Sequence, residues 1–214
     1  MGLISNIIDI ILHLDKYIGA LITTYGPWTY GILFFVIFLE TGFVFTPFLP
    51  GDSLIFAAGT MAGSGLLNIW LLYAIFVAAA VLGDTANYWI GRFIGTELLH
   101  KHVKFLSKRH LEETEKYFDK YGSETIILAR FVPFVRTFAP FLAGVGEMDY
   151  WKFFLYNFIG GITWVALFCF GGYFFGNLAW VQEHFTLVIL IIIFASVIPP
   201  AIQYFRVKFK RRKK

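Results

Sequence analysis

The run ILARFVPFVRTFAPFLAG, residues 127–144, sets Arg130 and Arg136 six positions apart among apolar side chains, and Pro133 and Pro140 interrupt the helix those side chains would otherwise build. Arginine keeps its proton and presents a planar fork of donors that fits phosphate oxygens, so a pair of them in apolar surroundings reads as a phosphate clamp. Helix N-termini at the breaks add backbone N–H donors for the same anion. A second run, LETGFVFTPFLPGDSLIFAAG, residues 39–59, carries Glu40 and Asp52. Carboxylates facing the clamp in a dry site can take up protons as the anion leaves, which is the chemistry of a proton-coupled carrier. Asp84 and Arg92 are accessory candidates. The plainer reading is bracing: acids of one run neutralise arginines of the other, Asp52 caps a helix starting near Ser53, and Asp84 pairs with Arg92 near a helix end.

Other chemistry has little support. Cys169 is the only cysteine, which removes a disulfide framework and thiolate metal sites. His100 and His102 in LHKHVK lack a third ligand nearby and read as interfacial side chains. Gly51-Asp52 and Gly83-Asp84 resemble the Gly-Asp pairs of intramembrane aspartyl proteases, yet Val81 stands where that family has glycine and no Tyr-Asp partner lies in an apolar helix. No serine elbow or histidine-rich phosphatase pattern is present. The expectation is a protein that is not an enzyme, with no metal and no cofactor.

The elements that must hold these charges follow from composition. Of 214 residues, 58% are hydrophobic, 20% aromatic and 15% charged, with a mean hydropathy of +0.69. Soluble domains carry roughly 25% charged residues, so the chain reads as an all-α polytopic membrane protein. A bare charge at the bilayer centre costs about 2.5 to 3.5 kcal/mol, and each of the six charges therefore needs a partner or a task. Residues 1–28 lack a basic leader and carry Asp9, Asp15 and Lys16 in their apolar run, which favours an amphipathic or membrane helix over a cleaved signal. Asn6 stands where a myristoylation motif has Ser or Thr. Transmembrane helices are predicted at about 66–95, 150–176 and 185–205, the last kinked near Pro199 and Pro200. Residues 97–123 alternate charges and aromatics at helical spacing, as an amphipathic loop does. RVKFKRRKK, residues 206–214, holds seven of the eighteen Lys and Arg and reads as a basic cytoplasmic tail on an anionic leaflet rather than a nucleic-acid patch.

With that tail inside, the positive-inside rule puts 97–123, with its six Lys and Arg, on the cytoplasmic side too. Residues 124–146 must then dip in and return, and broken backbone at that depth is tolerated only where protein covers it or it lines a wet cavity. Residues 29–62 repeat the order: an isolated charge, two prolines, a Phe-Leu step and a small-residue run. Each is followed by an aromatic, glycine-punctuated helix, ending GRFIG in one case and GYFFG in the other. The fold expected over 29–205 is a single domain with an inverted-topology repeat. Each half is a re-entrant hairpin (29–62 and 124–146) followed by a transmembrane helix, a C-terminal transmembrane helix is added, and the substrate site lies near the midplane.

LARFVPFVRTFAPFLAGVG resembles the signature of the DedA family, an arginine, a proline three on, a second arginine six on and a closing glycine; FLETGFVFTPFLPGDSLIFAAG is similar to its N-terminal acidic motif. The resemblance covers about residues 30–176. It implies essential acids at Glu40 and Asp52, essential arginines at Arg130 and Arg136, and a multi-pass protein of the bacterial inner membrane that supports envelope integrity. It further implies a carrier that returns a phosphate-bearing lipid, undecaprenyl phosphate above all, to the cytoplasmic leaflet under an ion gradient; the acids Glu40 and Asp52 make protons the expected coupling ion. A proton-coupled small-ion exchanger and a phospholipid scramblase stay open as alternatives, as does assembly into a homo-oligomer.

Overall fold

The computed structural model describes residues 9–10, 13–43, 51–94, 124–132 and 135–193 in full, and 95–100 as helical backbone. Regular structure among the described residues is helical throughout: α1 (Leu14–Tyr25), α2 (Trp28–Gly42), α3 (Gly51–Gly63), α4 (Ile69–His100), α5 (Thr125–Ala129), α6 (Val135–Val145), α7 (Tyr150–Phe175) and α8 (Ala179–Glu183). Residues 185–193 are also helical. The loop centred on 101–123, the basic tail, the end of the last predicted span with Pro199 and Pro200, and His102 lie outside the described residues.

Local chemistry sets the breaks. Gly26 stops α1 with a φ of 53°, a left-handed conformation that costs glycine little, and Pro27 then opens α2 with its fixed φ of −62°. After α5, the N–H groups of Arg130, Phe131 and Val132 bond to carbonyls three residues back at 3.0–3.3 Å. The helix tightens and ends there because Val132 precedes Pro133, and the residue before a proline is driven out of the helical region. No such stop follows Gly95, so α4 runs on through Thr-Glu-Leu-Leu to His100 instead of ending at the expected 95.

Among the described residues, Ile69–Ile94 and Tyr150–Phe175 are the two stretches long and apolar enough to cross a bilayer, each 26 residues with mean hydropathies of 1.9 and 1.8. At 1.5 Å per residue each reaches roughly 39 Å, beyond a hydrocarbon core of about 30 Å. By the same measure α2 with 15 residues, α3 with 13, α6 with 11 and α5 with 5 are too short to cross alone.

The chain forms two compact units, one of residues 1–26, 50–69 and 168–214, the other of residues 27–49 and 70–167. They do not follow the sequence halves: α2 and α3, neighbours along the chain, belong to different units. In the first unit α1 packs on α3, burying Leu14 and Ile18, and α3 crosses the end of α7. A Cβ on Gly59 would strike the Cys169 carbonyl, and one on Gly172 the Phe56 carbonyl. In the second unit α6 crosses α4 by the same device, Gly144 on the Tyr88 carbonyl and Gly91 on the Phe141 carbonyl. Each crossing is reciprocal, with a glycine on one helix facing the carbonyl that lies three residues before the glycine on the other. Tyr88 then stacks on Phe153 of α7 at 4.6 Å, and its hydroxyl donates to the Met148 carbonyl.

Gly144→Ala should lower stability by about 1–3 kcal/mol, the usual cost of overpacking, because the new methyl meets backbone of Tyr88 and Arg92 that has no room to yield. Gly31→Ala, whose Cβ would meet nothing within 4 Å, should be neutral or stabilise by up to about 1 kcal/mol. Thermal unfolding of the two variants in one detergent separates these outcomes.

Candidate functional site

Arg130 follows α5 directly, where the helix gives out, and its side chain is sunk in the second unit. Nη2 donates to Asp84 Oδ2 at 2.6 Å, to Asn157 Oδ1, and to the Ala80 carbonyl at 3.4 Å. Asn157 is held in turn by its Nδ2, which donates to the Val81 carbonyl at 3.1 Å. The stem fits because α7 has glycines beside it: a Cβ on Gly160 would lie 3.0 Å from Arg130 Cδ, and one on Gly161 3.6 Å from Nη2. Arg130 Nε is buried with no hydrogen-bond partner among the described residues.

Arg136 is the second residue of α6 and pairs through Nη2 with Oε1 of Glu40, near the end of α2. The acid is fully buried and the arginine side chain 12% exposed. Each charge opposes its own helix, since a carboxylate is disfavoured near a helix C-terminus and a cation near an N-terminus. The register that joins them is set by Asn87, whose Nδ2 donates to the carbonyl of Thr41 at 3.2 Å and of Thr137 at 2.7 Å. One amide thus ties the residue after Glu40 to the residue after Arg136. Both guanidiniums also lie on the Trp164 ring, with Cζ 5.9 Å from its centroid for Arg130 and 5.1 Å for Arg136. A small cavity opens among Thr41, Asp84, Arg130, Arg136, Thr137 and Trp164. Two arginines and two carboxylates leave this site formally neutral.

The expected residues divide. Arg130, Arg136 and Glu40 come together, and Asp84 joins them as a full partner of Arg130. The expected Asp84–Arg92 pair does not form: eight residues apart on one helix, they point along different turns, and Arg92 Nη1 instead donates to the Tyr88 hydroxyl at 2.8 Å. Asp52 belongs to the first unit, and α3 starts at Gly51, so Asp52 sits inside the first helical turn rather than at the cap. A carboxylate there suits the helix dipole. Asn87, Asn157 and Trp164 were not singled out from sequence. The two asparagines carried a usable signal, polar amides inside otherwise apolar runs; Trp164 carried none beyond being one of six tryptophans. Among the described residues no cluster of His, Cys, Asp and Glu could hold a metal ion.

Long apolar helices around a buried, neutralised charge cluster define a helical membrane protein with a polar site in its interior. Residues 49–174 match the family described as VTT domain. The chain is 47% identical to Protein DedA of Escherichia coli (strain K12), over 97% of this chain and 96% of that one. It is 43% identical to an uncharacterized membrane protein of Mycobacterium tuberculosis (strain ATCC 25618 / H37Rv), over 85% and 81% of the two chains, and 32% identical to the inner membrane protein YghB of Escherichia coli (strain K12), over 72% and 71%. No solved structure matches. The chain belongs to the DedA family of membrane proteins.

Breaking a buried pair strands a charge. Asp84→Ala should cost about 3–5 kcal/mol of stability, and adding Arg130→Met should recover part of that loss because no bare charge then remains. Thermal unfolding of the single and double variants in detergent provides the comparison.

Proposed function

We propose that the protein carries a phosphate-bearing lipid, undecaprenyl phosphate, from the outer to the cytoplasmic leaflet of the bacterial inner membrane, with protons as the driving ion. The observation that carries this reading is the pair of buried guanidiniums, each neutralised by a carboxylate, on one cavity. Such a site can exchange a carboxylate for a phosphate oxygen without changing its donors, since both acceptors fit the same fork. Charge balance then dictates the coupling. When a phosphate takes Arg136 from Glu40, the displaced carboxylate cannot stay charged in a dry interior without a partner, so it takes a proton. It gives that proton back when the lipid leaves and the pair re-forms. Asp84 stands in the same relation to Arg130. Asp52, an acid that the family motif marks and that lies in the first unit, is the second proton-coupling candidate.

The lipid's tail stays in the bilayer while only its headgroup needs the polar site. The short helices suit this, because α2, α3, α5 and α6 are too short to cross alone. In this reading 124–146 enters and returns on the cytoplasmic face, 29–62 on the opposite one, and the C-terminus is cytoplasmic. The glycine crossing built twice supports an inverted repeat.

In vesicles loaded with undecaprenyl phosphate and read by a leaflet-specific probe, an imposed proton gradient should speed movement to the cytoplasmic-equivalent leaflet. Glu40→Gln and Asp52→Asn should abolish the gradient dependence while folded protein persists. Gradient-independent movement in both directions would identify a scramblase instead, and proton flux with no lipid movement an ion exchanger. Arg136→Lys keeps the charge but loses the fork, and should weaken undecaprenyl phosphate binding roughly tenfold, the worth of one charged hydrogen bond.

A further inference from the structure

Trp164 stands apart from the other tryptophans. Trp28, Trp70 and Trp151 lie at the first or second residue of α2, α4 and α7 and are 78%, 68% and 73% exposed, while Trp89 and Trp180 are exposed as well. That is the placement of rings that anchor helices at a membrane interface. Trp164 lies in mid-helix, 1% exposed, against two guanidiniums at once.

The two kinds of contact on Arg136 use different parts of the group. Glu40 accepts from Nη2, and the Trp164 ring lies under Cζ, 5.1 Å from the ring centroid. A ring under a guanidinium consumes none of its N–H donors. If an oxyanion replaces Glu40, the Nη2 contact changes hands and the ring contact need not. Arg136 has a long side chain with many rotamers and is more exposed than Arg130, 12% against 4%, so a ring beneath it narrows the positions its guanidinium can take. A desolvated ring also holds a cation more firmly than an exposed one.

We propose that Trp164 is the positioning residue of this site: its π face holds the Arg136 guanidinium in one place while the partner at Nη2 alternates between the Glu40 carboxylate and an oxyanion of the ligand. The proposal rests on the phosphate-lipid reading and adds to it a residue that acts through Arg136. It makes affinity depend on the electron density of a ring that offers the ligand no hydrogen bond of its own to Arg136.

Trp164→Leu would leave a void and can fail to fold, so the test uses tryptophan bearing one, two or three ring fluorines at position 164, which weakens the π face stepwise at nearly constant volume. Binding of undecaprenyl phosphate and of uncharged undecaprenol to the purified protein in detergent is measured alongside its melting temperature. Affinity for the phosphate should fall in order of fluorination, about two- to thirtyfold in total, with binding of the alcohol and the melting temperature unchanged. The graded fall should vanish in an Arg136→Ala background. A flat series in a protein that still prefers the phosphate over the alcohol overturns the role of Trp164 and leaves the phosphate-lipid reading standing. Equal binding of both lipids by the unsubstituted protein overturns that reading and this inference with it.

Discussion

A guanidinium cannot give up its charge, so once Arg130 is drawn into an apolar interior the surrounding chain must neutralise it where it stands. That demand organises the second unit. Its answer is one stripe of α4: the Ala80 carbonyl and Asp84 receive Arg130, the Val81 carbonyl fixes Asn157 beside it, and Asn87 one turn on locks the ends of α2 and α6. Tyr88 and Gly91 continue the same face with ring stacking and close backbone approach. Residues three and four apart share a helical face, so a single long helix can serve as the template on which three broken ones are assembled.

The pair of Arg136 with Glu40 has another character. Each residue is placed against the dipole of its own helix, and each is tolerable chiefly because the other is there. Local rules broken together in this way mark a functional site more often than a structural one. Arg130 has three acceptors on one nitrogen and glycines moulded to its stem. The neutrality of the four groups explains how the cluster can exist in a membrane protein.

Close packing supplies the frame. Helices that meet through glycines bring backbone against backbone, and membrane helices depend on such small-residue contacts because lipid supplies no hydrophobic drive for their association. The reciprocal glycine crossing occurs once in each unit, between α3 and the end of α7 and between α6 and the latter part of α4. In both cases a helix from one half of the sequence is gripped by the long helix of the other half. The FAAG of residues 56–59 and the FLAG of residues 141–144 are the matching pieces.

The helical, membrane-borne nature of the chain was legible in its residues, because apolar length and scarce charge admit few other solutions. The sequence also marked some of the helix breaks, since the restriction before Pro133 and the conformations at Gly26 and Pro27 are local, but Pro140, expected to interrupt a helix, lies inside α6, and α4 runs past the expected end at 95. It marked Glu40, Arg130 and Arg136, because a charge in an apolar run is conspicuous without coordinates. Which charges pair depends on how the helices pack. Asp84 and Arg92 looked like partners by their nearness along one helix, yet eight residues separate them by more than two turns, and the guanidinium that reaches Asp84 comes from 46 residues away. Asn87 and Trp164 acquired their parts in the same way. An amide or a ring takes its meaning from the carbonyls and cations set around it, and those arrive from segments whose approach depends on glycines packed at two crossings, information that no single window of the chain contains.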